Sequence, residues 1–169
     1  MYTCQKADEY IKKNRVDRAD KPEFHLTTPV GWLNDPNGFS IYGGKAHLFY
    51  QFHPYSTEWG PMHWGHATSK DLIHWEEQPI AFYPDANGAM FSGSIVADTT
   101  NSSGLFDNDQ GGLVALITAD GNGQRIKLAY SKDEGRTWAK LDQIAADWTD
   151  DPLQSQDFRD PKVFRWEGK

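Results

Sequence analysis

The chain has 169 residues, about one ordinary domain, and a chain of that size buries roughly two thirds of its unfolded surface. Its 17 Lys and Arg against 24 Asp and Glu give a net charge of -7, with no basic run to track a phosphate backbone, so nucleic acid is not an expected partner. No apolar stretch is long enough for a membrane span, no hydrophobic segment follows a basic start at the N-terminus, and the single Cys4 cannot form an internal disulfide; a cytoplasmic protein with no membrane partner is the expectation.

Residues 3 to 14 read as a short polar helix, with Thr3 as N-cap and Ala7, Tyr10 and Ile11 spaced to share a face against something larger. After Pro22 the texture changes to brief apolar or alternating runs punctuated by Gly, Asn, Asp and Pro, the pattern of an all-β chain. The first strands are expected at Gly38 to Tyr42, His47 to Phe52, Met62 to Thr68 and His74 to Gln78. A second set is expected at Phe91 to Ala97, Leu113 to Thr118, Arg125 to Ser131 and Thr137 to Leu141. Gly43-Gly44 joins the first two as a hairpin, since both positions tolerate positive φ.

The two sets look like copies. "ATSKDLIHW" from residue 67 resembles "AYSKDEGRTW" from residue 129, and "HLFYQF" from 47 resembles "LVALIT" from 113. Repeated four-strand units of this length point to a propeller, because each small sheet buries its faces only by stacking on its neighbours. Two blades and the first strand of a third are expected, and such an arc leaves blade faces that call for a covering partner.

The innermost strands of successive blades should converge on one axis, and their starts are "NDPNGF" at 34, "FSGSIV" at 91 and "RDPKVF" at 159. Taken alone, Asp35-Pro36-Asn37-Gly38 suits a β-turn. The recurrence of Asp before Pro at Asp160-Pro161, where no glycine follows, argues instead for carboxylates held at the mouth of a channel. Two carboxylates at different angles to one small pocket can stabilise a carbohydrate oxocarbenium transition state.

"WLNDPNG", "FYQFHP", "EWGPMHWGHATSKDLIHW", "FSGS" and "FRDPKV" follow one another in the order and spacing of glycoside hydrolase family 32, the invertases, sucrose-6-phosphate hydrolases and fructan hydrolases. The resemblance runs from about residue 20 onward. It implies a five-bladed β-propeller with a retaining mechanism on β-fructofuranosides, needing no cofactor and no metal. By the same resemblance Asp35 is the nucleophile and Asp160 the transition-state stabiliser, kept ionised by Arg159. Asn34 and Gln51 bind sugar hydroxyls, and Trp59, Phe91 and Ser92 contact the substrate. Read without the family, Trp59 and Phe91 fit core packing equally well, and Trp75 and Trp138, at repeated end-of-blade positions, fit packing better.

The implied organisation is a helix and linker over 1–22 and part of a propeller over 23–169. The family's acid, a glutamate in a Glu-Cys pair, has no counterpart here, and neither Glu58, Glu76, Glu77 nor Glu134 carries a matching motif. The chain therefore reads as the N-terminal part of an enzyme, its partners being a small sugar substrate and the C-terminal portion of the same enzyme. A non-catalytic fructoside-binding module is the rival reading, and a sibling propeller acting on arabinosides or xylosides fits the motifs less well.

Three other signals are set aside. His63 and His66 lie three apart on a strand and point to opposite faces. "DNDQGG" at 107 to 112 lacks the closing glutamate of a calcium loop, and Asn101-Ser102-Ser103 reads as a polar turn.

Overall fold

In the computed structural model the described residues are 1–169 except 18, 108–110, 151, 154, 165, 168 and 169, so most of the acidic loop beginning at Asp107 lies outside them. The all-β expectation holds, with two four-stranded antiparallel sheets and one helix. Helix α1 spans Cys4–Asn14, and the Thr3 hydroxyl caps it by accepting from Lys6 N at 3.1 Å. The first sheet is β1 (Trp32–Tyr42), β2 (Lys45–His53), β3 (His63–Ser69) and β4 (Glu76–Phe82), in that spatial order. The second is β5 (Ala89–Asp98), β6 (Gly112–Gly121), β7 (Gly123–Ser131) and β8 (Ala139–Asp147), followed by a short 3-10 turn at Trp148–Asp150.

All eight expected strands are present, each with its start displaced by one or two residues except β1, which begins six residues early. β1 starts at Trp32, so Asp35-Pro36-Asn37-Gly38 is not a turn but part of a strand. Pro36 lies on an edge strand and beside a break in the ladder, the settings in which a sheet tolerates proline. β4 and β8 start later than expected because the turns before them capture the amides that would begin the ladder. Asp71 accepts from Ile73 N and His74 N, and Asp133 accepts from Thr137 N, each at 2.8–2.9 Å.

Those turns are the same device built twice. In each, a serine ending the third strand bonds an aspartate two residues on, Ser69 to Asp71 at 3.1 Å and Ser131 to Asp133 at 2.8 Å. The third residue after each serine, Leu72 and Glu134, turns through positive φ of 66° and 59°. The repeat read from "SKD" is thus a repeat of backbone geometry.

Strand β2 is buried on both faces, and alternation sends Phe49 to one side and Tyr50 and Phe52 to the other. Phe49, Trp64 and Phe82 pack against Met90, Ile95, Leu113 and Ile117 of the second sheet, with Trp138 against the cluster, as expected for that tryptophan. On the far face Tyr50, Phe52 and Ile80 lie beneath Ala7 and Ile11 of α1, and Trp75 packs there too. The helix is fastened by Asp8, whose carboxylate accepts from Ile80 N at 2.9 Å. Phe39, Ile41, Ile144, Phe164 and Trp166 stay exposed, the uncovered apolar surface expected of an arc of blades.

Four histidines of the first sheet are buried, and three of them, His47, His63 and His66, almost completely. His47 Nδ1 and His66 Nε2 share a hydrogen bond at 3.1 Å, and His66 stacks on Phe49 with ring centres 4.1 Å apart. His63 instead turns its Nδ1 to Pro61 O at 2.9 Å, so the two histidines of the HWGH segment go separate ways.

The third inner strand expected at 159 onward is not laddered among the described residues. It is tied instead to the preceding inner strand, β5: Ser94 Oγ donates to Pro161 O at 2.7 Å and accepts from Val163 N at 2.8 Å. A strand is defined by its neighbour, and no described segment pairs with this one.

Candidate active site

The site is made where ladder regularity breaks. Along β1, Leu33 pairs with Phe52 and Pro36 with Tyr50, three steps against two, so Asn34 and Asp35 carry an extra residue. Along β5, Phe91 pairs with Thr118 and Gly93 with Ile117, leaving Ser92 as the extra residue. A bulge swings a side chain off the regular up-and-down alternation. Here the two bulges lie on adjacent inner strands of different sheets, and Ser92 Oγ donates to Asp35 Oδ2 at 3.2 Å. Behind them the buried Asn37 accepts from Gly93 N at 3.4 Å, tying the strands together.

The eight residues singled out from sequence line one cavity of about 140 Å³. Asn34 and Asp35 come from β1, Gln51 from β2, and Phe91 and Ser92 from β5. Trp59 comes from the β2–β3 connection, and Arg159 and Asp160 from the last segment. Asp35, Ser92 and Asp160 also border an adjoining cleft of about 520 Å³ with Pro161 and Lys162, so they stand at the junction of two openings. A larger groove of about 740 Å³ between α1 and the outer strands contains none of the eight.

Each wall has its own support. Gln51 is buried, and one of its amide hydrogens goes to Met90 O at 2.8 Å, which fixes the plane of the group. Phe91 is positioned through its backbone, whose carbonyl accepts from Trp64 Nε1 at 3.0 Å. Trp59 is 62% exposed and meets Phe91 edge to face at 6.2 Å, so neither aromatic belongs to the core; together they form a rim. An exposed aromatic rim suits the apolar face of a sugar.

Arg159 is placed less simply than its position beside Asp160 suggested. Its guanidinium hydrogen-bonds Asp157, while its Nε is 3.8 Å from Asp160 Oδ2. The hydrogen bond to Asp157, and then the nearby charges of Asp157, Asp160 and Asp120, hold Arg159 still more firmly protonated than a free arginine. The result is a cavity with carboxylates on two sides, one fixed cation and several hydroxyl-binding groups, chemically matched to a polyhydroxylated ligand.

Among the described residues no glutamate lines either opening. Glu58 is exposed, with its carbonyl accepting from His53 Nδ1 at 3.0 Å. Glu77 pairs with Arg15 and Glu134 with Lys45, both on outer parts of the sheets. Sequence reasoning missed Met62, which also lines the cavity, and Thr118, which accepts from Asp160 N at 3.1 Å. Met62 lies three residues after Trp59 in the same connection, a signal that was available; Thr118 could be found only from the strand register.

A model of the glycosyl hydrolases family 32 N-terminal domain matches residues 25–169. The chain is 65% identical to a fructan beta-fructosidase of Streptococcus mutans serotype c (strain ATCC 700610 / UA159), over 86% of its own length and 10% of that protein's. It is 48% identical to a levanase of Bacillus subtilis (strain 168), over 89% of its length and 22% of the levanase. Its fold superposes on a Bombyx mori GH32 beta-fructofuranosidase, solved as a mutant in complex with sucrose, with TM-score 0.80 and 37% identity, covering 96% of this chain and 34% of that one. A beta-fructofuranosidase of Schwanniomyces occidentalis complexed with fructosyl-erythritol gives 0.76 at 40% identity, covering 85% and 29%. The chain thus spans about a third or less of these relatives.

Proposed function

The chain belongs to glycosyl hydrolase family 32, and from that premise we propose that it is the nucleophile-bearing part of a β-fructofuranosidase that cleaves sucrose or fructans with retention. The carrying observation is the convergence of Asp35, Ser92 and Asp160, from three separate segments, on one small polar cavity with an aromatic rim.

In this reading Asp35 attacks the anomeric carbon of the fructosyl unit and forms a covalent intermediate, which water later resolves. Asp160 holds fructose hydroxyls as positive charge develops on the ring, and Arg159 completes that side electrostatically. Asn34 and Gln51 bind further hydroxyls, and Trp59 and Phe91 cover the apolar face of the sugar. The leaving oxygen still needs a proton. Since no described glutamate borders the cavity, the acid comes from the longer protein of which the relatives give the scale.

The test is Asp35→Ala in a protein carrying the complete catalytic domain. Loss of sucrose or fructan hydrolysis by at least about 10³-fold, with the far-ultraviolet spectrum unchanged, is the expected result. Near-normal turnover would remove the assignment. The absence of a bordering glutamate also sustains a second reading, a fructoside-binding module without catalysis. Reducing-sugar release by the 169-residue chain itself separates the two, because robust activity would require an acid within it.

A further inference from the structure

The two Asp-Pro pairs of the site are alike in sequence but not in backbone. Asp35 lies in a strand, the conformation a residue before proline ordinarily takes. Asp160 has φ +64°, in the left-handed region. A side chain is disfavoured there, and a following proline restricts the residue further, so nothing in Asp160-Pro161 itself selects this shape. Something outside the dipeptide must hold it.

Two hydroxyls do. Thr118 Oγ1, from β6, accepts the hydrogen of Asp160 N at 3.1 Å. Ser94 Oγ, from β5, donates to Pro161 O at 2.7 Å and accepts from Val163 N at 2.8 Å, using both of its capacities on one segment. Both side chains are buried, Thr118 completely. Thr118 is the one polar residue in the run Leu113 to Ala119, where Val would fit the same space without a hydroxyl to satisfy. The hydroxyl's partner in the structure is the amide of the aspartate that turns into the cavity.

We propose that Thr118 and Ser94 are positioning residues for Asp160: they clamp residues 160–163 onto the preceding blade and so set the angle at which the Asp160 carboxylate meets the cavity it shares with Asp35. The proposal rests on the reading of that cavity as a fructoside site. A carboxylate that acts by aligned contact with a developing charge loses effectiveness when its backbone relaxes, and displacement by about 1 Å costs up to about 10²-fold in rate. Strain held by surrounding hydrogen bonds is how such an alignment persists.

The experiment compares Thr118→Val, Thr118→Ser and Ser94→Ala with the parent in a protein carrying the complete catalytic domain. Amide hydrogen exchange at Asp160 and Val163 reports the clamp without reference to activity. Thr118→Val is expected to speed exchange at Asp160 by about 10-fold or more and to lower kcat on sucrose by about 10- to 100-fold, with KM within about threefold and the melting temperature unchanged. Ser94→Ala should do the same to the exchange of Val163. Thr118→Ser, which keeps the acceptor, should restore kcat to within about threefold. Unchanged exchange in Thr118→Val, or equal kcat losses in the Val and Ser variants, would overturn the proposal. If the parent neither cleaves nor binds fructosides, the functional reading fails, while the exchange data still decide whether the clamp exists.

Discussion

Ser92 Oγ lies 3.2 Å from Asp35 Oδ2, a hydrogen bond between two bulged residues 57 positions apart on the inner strands of different sheets. It orients one carboxylate oxygen and leaves the other to the cavity. A hydrogen bond to a charged group contributes about 1.5–3 kcal/mol. Ser92→Ala in a protein with the complete catalytic domain is therefore expected to lower kcat/KM about 10- to 100-fold. Stability should change little, because Ser92 is half-exposed. Steady-state kinetics on sucrose, with thermal melts alongside, decide this; an unaltered kcat/KM would show that Asp35 is oriented by other groups.

Trp59 separates ligand contact from core packing. It is 62% exposed and touches Phe91 only edge to face, so Trp59→Ala should leave the melting temperature within about 2 °C of the parent. With the sugar's apolar face uncovered, KM should rise about tenfold while kcat changes less. A large loss of stability would return Trp59 to a structural role.

Gly93, the glycine of "FSGS", has a role that needs no ligand. A Cβ at this position would stand 2.1 Å from Leu116 O, a backbone atom in the middle of the second sheet that cannot swing aside. Gly93→Ala should cost about 2–3 kcal/mol by forcing β5 away from β6, and should lower the urea midpoint of the 169-residue chain. An unshifted midpoint would mean that the two strands approach less closely than 2.1 Å implies.

Burial pushes His66 down to about 3, aided by the charge of its neighbour His47, and burial alone is the main cause of His63 falling to about 4. Both are held neutral in the fold, whereas in the unfolded chain they take up protons near 6.5. The unfolded state thus binds more protons below that value. The contribution is complete above about pH 6.5 and is lost as pH falls toward 4 and then 3, at a limiting slope of about 1.4 kcal/mol per pH unit for each histidine. Urea midpoints at pH 7, 5.5 and 4.5 should decrease in that order, and His66→Leu should flatten the trend. A midpoint independent of pH over this window would contradict the burial of these rings.

Much of this was legible before any coordinates. Ser69-Lys70-Asp71 and Ser131-Lys132-Asp133 announce the blade repeat because short polar side chains build the same local turn wherever they occur. Strand starts were less legible: β4 and β8 begin late because Asp71 and Asp133 hold the amides that periodicity assigned to the ladder. Met62 and Thr118 escaped because a methionine and a threonine in apolar surroundings look like packing; Met62 could still be found from its place three residues after Trp59, whereas Thr118 meets Asp160 only in the folded chain.

By itself, the sequence determined the strands, the two-blade repeat and the chemical types at the cavity, because those follow from alternation, turn chemistry and motifs that are local in the chain. Only the tertiary structure decided that Asp35 would sit in a bulged strand and Asp160 in the left-handed backbone region. The hydrogen bond that meets Asp160 N comes from Thr118, 42 positions away, and no local preference can encode a partner that only folding brings near.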